Sequence, residues 1–307
     1  MRIVFFGTPE FAVPSLEALL ALDLTVVAVV TQPDRARGRS RSTLEPPPVK
    51  VRAQAAGIPV LQPERPAGPE FLDHFRSFDP DLGVVVAYGH ILKPAVLATP
   101  RLGMINVHAS VLPRWRGAAP IQWAIASGDA TTGVTIMQME AGLDSGPVLL
   151  TKEIPIGPAD TGGELTTRLA TLGADALADA IGRFRDGTAA FHPQDHSRAS
   201  IAPKIGREVA RIDWTRPAAE VANRIRAFDP VPGAWTTLAG RDLKCFRPRA
   251  VKGNGRPGSA LWLTPDLVIA TGAGAVAIGQ VQPAGRARME TGDWLHGRPL
   301  ALGDQLG

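Results

Sequence analysis

Over the first 187 residues, short apolar runs alternate with stretches of helical periodicity, and that alternation restricts this part of the chain to a parallel sheet wound with helices. Strands are expected at 2–6, 25–31, 58–61, 82–87, 104–108 and 132–139. Between them Phe11, Leu16, Leu19 and Leu20 recur at helical spacing, and Ile121, Trp123, Ala124 and Ile125 form a second helical patch. Thr161 and Glu164 make a capping box ahead of Leu165, Leu169, Leu172, Leu177, Ile181 and Phe184. The polar, unperiodic stretch from His192 to Arg207 reads as a linker. Beyond it, Pro217 opens an amphipathic helix with Val221, Ala222, Ile225 and Phe228 inward and Arg224 and Arg226 outward. Short strands at 234–238, 242–247, 259–264, 267–271 and 275–281, separated by Gly and Pro turns, point to a small OB-like β-barrel. A chain of 307 residues can fill two cores. The expected organisation is α/β: a Rossmann-like, mostly parallel sheet in 1–189, a linker in 190–206 and the barrel in 207–307.

Several classes are set aside by what is missing. One cysteine, Cys245, excludes an intrachain disulfide and a cysteine-based metal cluster, and its neighbours Leu243 and Phe246 mark it as a packing residue. No metal is expected. The turn after the first strand, Gly7-Thr8-Pro9-Glu10-Phe11, has one glycine and places an acid where a phosphate would sit, so a dinucleotide cofactor is rejected. The first residues run into a strand without a leader-like pattern, and apolar runs such as Val26 to Val30 fall far short of the roughly 20 residues a spanning helix needs. The expectation is a cytoplasmic protein with no membrane contact. A formal charge of +4 and a pI near 9.6 permit a polyanionic partner without requiring one.

The chemistry concentrates in residues 104 to 149. Met104-Ile105-Asn106-Val107-His108 has period two, so Asn106 and His108 share a side at the carboxyl end of a strand, where open parallel sheets bind ligands. A stiff loop, Ser110 to Pro120, follows, and Asp144 sits in the Gly-flanked turn Gly142 to Pro147. Taken singly, such an asparagine, histidine or aspartate is more often structural. Together they supply a donor for an oxyanion, a group that holds or relays a proton, and an acid that orients the histidine. No serine or cysteine is needed if the incoming amine is itself the nucleophile.

Asn106 to Pro113, Gly133 to Glu140 and Leu143-Asp144-Ser145-Gly146-Pro147 resemble the signature of the 10-formyltetrahydrofolate-dependent formyltransferases. Phe6 to Phe11, Thr31 to Arg35, Arg114 to Ile121, Ile212-Asp213-Trp214 and Gln282 to Arg286 are similar to the branch that acts on charged initiator tRNA, and the likeness covers essentially the whole chain. Ala141, Asp229 and Val231 depart from the pattern at positions that touch packing or the far domain. The resemblance implies the formyltransferase fold, with 10-formyltetrahydrofolate as formyl-donor substrate and initiator methionyl-tRNA as acceptor; the sequence is silent on oligomeric state, and a monomer is the expectation. It implies that Asn106 and His108 stabilise the tetrahedral oxyanion and that Asp144 orients His108 and assists proton removal. Folate is implied to lie along Val86, Ala87, Tyr88, Gly89, His90, Ile91 and Leu92, read by backbone groups with Ile91 and Leu92 as apolar walls, and against Ser110, Leu112 and Pro113.

Arginines crowd the loop after the second strand, and this cationic arm cannot bury itself. Such a run is ordinarily a solvated loop; here it matches the family's insertion into the acceptor stem. The resemblance therefore assigns Arg35, Arg37, Arg39 and Arg41, with Lys204 and Arg207, to tRNA, and Arg247, Arg249 and Lys252 would extend that track. Two rival readings are a sister formyltransferase acting on a small amine, a purine ribotide or a nucleotide sugar, and a non-catalytic RNA-binding protein. A hydrolase releasing formate from the same folate is a third.

Overall fold

The computed structural model describes residues 1–22, 24–37, 43–263, 266–297 and 300–307. The chain forms two compact units, and neither is one continuous stretch: the first comprises 1–117, 133–154 and 166–201, the second 118–132, 155–165 and 202–307.

The first unit begins with β1 (Arg2–Gly7), α1 (Val13–Ala21) and β2 (Thr25–Val30). A hairpin, β3 (Arg35–Arg37) and β4 (Thr43–Glu45), leads to α2 (Pro48–Ala55), β5 (Val60–Leu61) and α3 (Pro69–Ser77). Then come β6 (Leu82–Val86), α4 (Pro94–Leu97), β7 (Met104–His108) and the two-residue β8 (Arg116–Gly117). After α5 (Pro120–Ala126), which belongs to the second unit, follow β9 (Thr131–Gln138), β10 (Val148–Pro155), α6 (Gly162–Arg185) and β11 (Ile201–Ala202).

The main sheet runs in the order β10-β9-β7-β6-β1-β2-β5. Its members β5, β2, β1, β6 and β7 are parallel, and β9 joins β7 antiparallel with His108 opposite Thr135. The expected parallel sheet is present. Strand β10 and the β3–β4 hairpin were not expected, and the run at 58–61 contributes two paired residues. The Thr-Val-Val-Ala-Val-Val sequence of β2 reads as a continuous apolar run because strands covered on both faces need no polar side. Phe6 meets Phe75 edge-on at 5.6 Å and Tyr88 at 5.4 Å, and all three are buried. Burying one such ring contributes about 1.5–3 kcal/mol, so this trio ties β1 to α3 and to the end of β6. The capping box forms as expected: Thr161 N–H donates to Glu164 Oε2 at 3.0 Å and Glu164 N–H to Thr161 Oγ1 at 3.2 Å. The Thr161 N–H and, at 2.8 Å, the Thr161 hydroxyl both donate to Glu164 Oε2 and hold that carboxyl below its ordinary range.

The second unit holds α5, α7 (Ala218–Ala227), β12 (Trp235–Leu238), β13 (Arg241–Val251), β14 (Ala260–Trp262), β15 (Leu267–Ala270), β16 (Ala275–Pro283), β17 (Met289–Glu290) and α8 (Thr291–His296). Its antiparallel sheet has the order β12-β13-β16-β15-β14 with β17 on β16, a curled half-barrel. The two edges are bridged by the 305–306 segment, where Leu306 pairs with Leu238 and Gln305 with Ser259. Val221, Ala222 and Ile225 of α7 face inward as expected. Arg226 does not point outward: it is 8% exposed, with Nη1 donating to the carbonyls of Gly157 and Asp160 at 3.1 and 3.0 Å. Two carbonyls satisfy the head group where helical periodicity alone assigns it to water. Cys245 is buried, and burial pushes its thiol up to about 12, which leaves it inert. Among the described residues no helix is long and apolar enough to cross a membrane, and no group of three or more metal-ligating side chains occurs.

Candidate active site

The carboxyl ends of β6 and β7 lie side by side, Val85 aligned with Asn106. Asn106 is half-buried; His108, two residues on and on the same face, is 6% exposed. His108 Nε2 lies 2.9 Å from the carbonyl of Trp115. A carbonyl only accepts, so Nε2 carries the proton, and Nδ1 faces Asp144 Oδ2 at 3.7 Å. That separation exceeds hydrogen-bond range, so the pair is electrostatic as it stands.

The loop after β7 is clamped along its length. Leu112 N–H donates to Thr135 Oγ1, which donates to Ser110 O at 2.7 Å, and Ser110 Oγ donates to Arg114 O at 2.6 Å. Trp115 N–H is taken by Ser200 Oγ at 2.9 Å. Asp144 Oδ2 accepts from Gly117 N–H at 2.8 Å. Around it runs a buried polar chain that the sequence did not announce: Gln194 Nε2 donates to the carbonyls of Asp144 and Gly146, and Arg116 donates to Gln194 Oε1. Gln194 sits in the stretch read as a linker, and its signal, one polar residue among many, is indistinguishable from a surface glutamine until burial is known.

Ala87, Trp115 and Asp144 all have left-handed backbone, with φ of +46°, +63° and +45°. Non-glycine residues persist there only where their surroundings hold them, at a cost of about 1–3 kcal/mol each. Ala87 follows β6, Trp115 lies in the loop after β7 and Asp144 in the turn that faces His108; Asp79, Ala239 and Arg247 adopt the same backbone region elsewhere.

The folate segment is only partly available. Ala87 and Gly89 are exposed, His90 half-buried, and Ile91 is 82% exposed. Leu92 is corrected: its side chain lies in the core and forms no wall, and the Tyr88 ring is buried there too, which leaves the backbone contact that was expected of it. Burial pushes the Tyr88 hydroxyl up to about 12, and its carbonyl is already taken by Thr8 Oγ1 at 3.0 Å and Gln32 Nε2 at 2.9 Å. Val86 is buried at the end of β6, Ser110 and Leu112 are buried, and Pro113 is half-buried.

Arg35 opens the β3–β4 hairpin and donates to Gln32 Oε1. The hairpin base is anchored at Asp34, whose carboxyl is held below its usual range first by the hydrogen bond from Gln62 and then by Lys50, 2.7 Å away. Arg37 pairs through its backbone with Thr43, and Arg39 and Arg41 lie outside the described residues. In the second unit Lys204 is exposed, whereas Arg207 stacks 4.1 Å over Trp235 and pairs with Asp242 at 2.6 Å, so its head group already has two protein partners. A groove of about 790 Å³ in this unit is lined by Arg247, Arg249 and Arg288, each with a carboxylate, Glu290, Asp266 and Asp229 respectively.

Chemically, the end of β7 offers a carboxamide, an imidazole with one committed nitrogen and a carboxylate; among the described residues Ser110 Oγ is spent on a carbonyl and Cys245 is a buried, protonated thiol, so neither is an activated nucleophile. The acceptor must bring its own.

The formyl transferase model matches residues 1–181 and the formyl transferase C-terminal domain model residues 204–299. A methionyl-tRNA formyltransferase of Myxococcus xanthus is 47% identical, covering 99% of this chain and 97% of its own. That of Citrifermentans bemidjiense is 46% identical over 100% and 96%. The solved methionyl-tRNA formyltransferase of Clostridium thermocellum superposes with a TM-score of 0.57 at 13% identity, covering 92% of this chain and 98% of that one, a likeness of fold. On both of its halves and along its whole length, this chain belongs to the formyl transferase family.

Proposed function

We propose that this chain transfers the formyl group of 10-formyltetrahydrofolate to the α-amine of methionine esterified to initiator tRNA, giving N-formylmethionyl-tRNA for translation initiation. The observation that carries this reading is His108: one ring nitrogen is fixed on the Trp115 carbonyl and the other faces Asp144, on the strand that also bears Asn106.

In the reaction the amine nitrogen attacks the formyl carbon and the carbonyl electron pair moves onto oxygen. Asn106 donates to that oxyanion, and Nδ1 of His108 is the nitrogen left to hold a proton beside it. Each such donor supplies about 3–4 kcal/mol of transition-state stabilisation. Asp144 keeps the imidazole in place and assists loss of the ammonium proton; the bond to N10 of the folate then breaks and N10 takes up a proton. The folate runs along the backbone of Val86, Ala87, Tyr88, Gly89, His90 and Ile91, against Leu112 and Pro113. Residues 1–189 supply the catalytic groups and 190–206 connect them to 207–307, with Gln194 packed back beside Asp144; 207–307 bind tRNA together with Arg35, Arg37, Arg39, Arg41, Lys204 and Arg207. The enzyme works as a cytoplasmic monomer.

The test measures formyl transfer from 10-formyltetrahydrofolate to charged initiator tRNA, with free methionine, small amines and a nucleotide-linked amino sugar as alternative acceptors. Charged tRNA should be preferred by orders of magnitude in kcat/KM. Equal or better use of a small amine would transfer the assignment to a sister activity.

A further inference from the structure

Trp115, Arg116 and Gly117 are consecutive, and each fixes a different part of the His108–Asp144 pair. The Trp115 carbonyl holds His108 Nε2, the Gly117 N–H holds Asp144 Oδ2, and Arg116 reaches the Asp144 backbone through Gln194. We infer that Gln194, oriented by Arg116, is a positioning residue that sets the Asp144 turn and thereby the separation between Asp144 and His108. This rests on the reading of Asp144 as the partner of His108.

The amide of Gln194 is filled on both ends. Nε2 donates to Asp144 O at 2.9 Å and Gly146 O at 2.7 Å; Oε1 accepts from Arg116 Nη2 at 2.6 Å and Nε at 3.2 Å. Turning it over would set oxygen against two carbonyls and hydrogens against guanidinium donors, so its orientation is dictated by chemistry. Arg116 is 8% exposed and Gln194 7%, so neither has water as a substitute partner. Arg116 Nη2 also lies 2.9 Å from His196 Nδ1, which must accept because guanidinium cannot. The two carbonyls that Gln194 gathers belong to Asp144 and Gly146, on either side of Ser145, and Asp144 itself has left-handed backbone that its surroundings must hold. At Gly146 an added Cβ would lie 1.9 Å from Gln138 O, so the turn is pressed onto β9 and cannot relax in that direction. Release of Gln194 frees it only on the side that carries Asp144. The register of β8 is itself set by Arg116 N–H on Ser200 O at 2.8 Å.

Two variants separate the roles of the amide. Gln194→Glu keeps an acceptor for Arg116 but sets an oxygen against the Asp144 and Gly146 carbonyls; Gln194→Met removes both ends at similar volume. Either should lower kcat about tenfold to thirtyfold while KM for 10-formyltetrahydrofolate and for charged tRNA stays within about twofold. Built on Asp144→Asn, the same changes should cost less than about a further twofold, because a group that acts through Asp144 has nothing left to position. Losses that multiply in that background, or a rise in KM with kcat intact, would overturn the inference, as would wild-type kcat in whichever variant melts like the parent. Wild-type kcat in Asp144→Asn alone would instead sink the reading of Asp144.

Discussion

At the end of β7, His108 leans on a backbone carbonyl and Asp144 on a backbone amide, whereas in the groove of the second unit three arginines each meet a carboxylate. His108 and Asp144 are largely withdrawn from water, while Arg247, Arg249 and Glu290 stay more than half exposed and only Asp229 of the groove's acids is buried. The difference lies in what remains unspent. Backbone dipoles fix the imidazole and carboxylate in place without cancelling them, so an atom of each is free for a ligand. Carboxylates cancel guanidinium charge directly, and what they leave is scaffolding.

Four substitutions test that contrast, the deepest first. His108→Ala should lower kcat by about 10²–10³, near 3–4 kcal/mol, with the melting temperature little changed; turnover close to wild type with unchanged substrate binding would end the division between poised and cancelled charge. Asp229→Ala should do the reverse. It strands Arg288, now held bidentate at 2.7 and 2.9 Å, and should cost about 2–3 kcal/mol of stability in chemical denaturation while leaving kcat alone, the arginine being a third exposed. Converting Arg37, Arg39 and Arg41 to glutamine together should weaken use of tRNA about tenfold and reduce the slope of log affinity against log salt by about 2–3, with folate KM unmoved. Equal loss toward both substrates would deny the arm its role. Thr161→Ala should cost about 1 kcal/mol and no activity. Because the Glu164 carboxyl titrates below its unfolded value, its share of that cap is present above the ordinary glutamate range and fades as pH falls through the folded value. The gap between Thr161→Ala and the parent in urea melts should therefore narrow below about pH 4.

What a sequence shows of such a molecule depends on how local the cause is. The sheet was legible because β1, β2 and β6 are apolar on both faces, and the α6 start because Thr161 and Glu164 act on each other three residues apart. Asn106 and His108 were visible as a pair because a strand's period puts them on one side. Arg116 and Gln194 were not, since their meaning arises across 78 residues and needs a fold to bring them together. Arg226 misled for a similar reason: the carbonyls that receive it belong to residues 66 and 69 positions away. Tyr88 was placed in the folate segment by its motif, and only its packing on Phe6 shows that the ring itself belongs to the core.

Two stretches, Ala118–Thr132 and Pro155–Leu165, leave the first compact unit and are completed by residues from 202 onward. On a ribosome they emerge long before their packing partners exist. Helix α5, with Ile121 and Ile125 buried in the finished protein, must wait with that apolar face uncovered until α7 has been made. The dependence of α5 on α7 predicts that splitting the coding sequence between residues 189 and 207 yields fragments that aggregate apart and recover solubility when co-expressed.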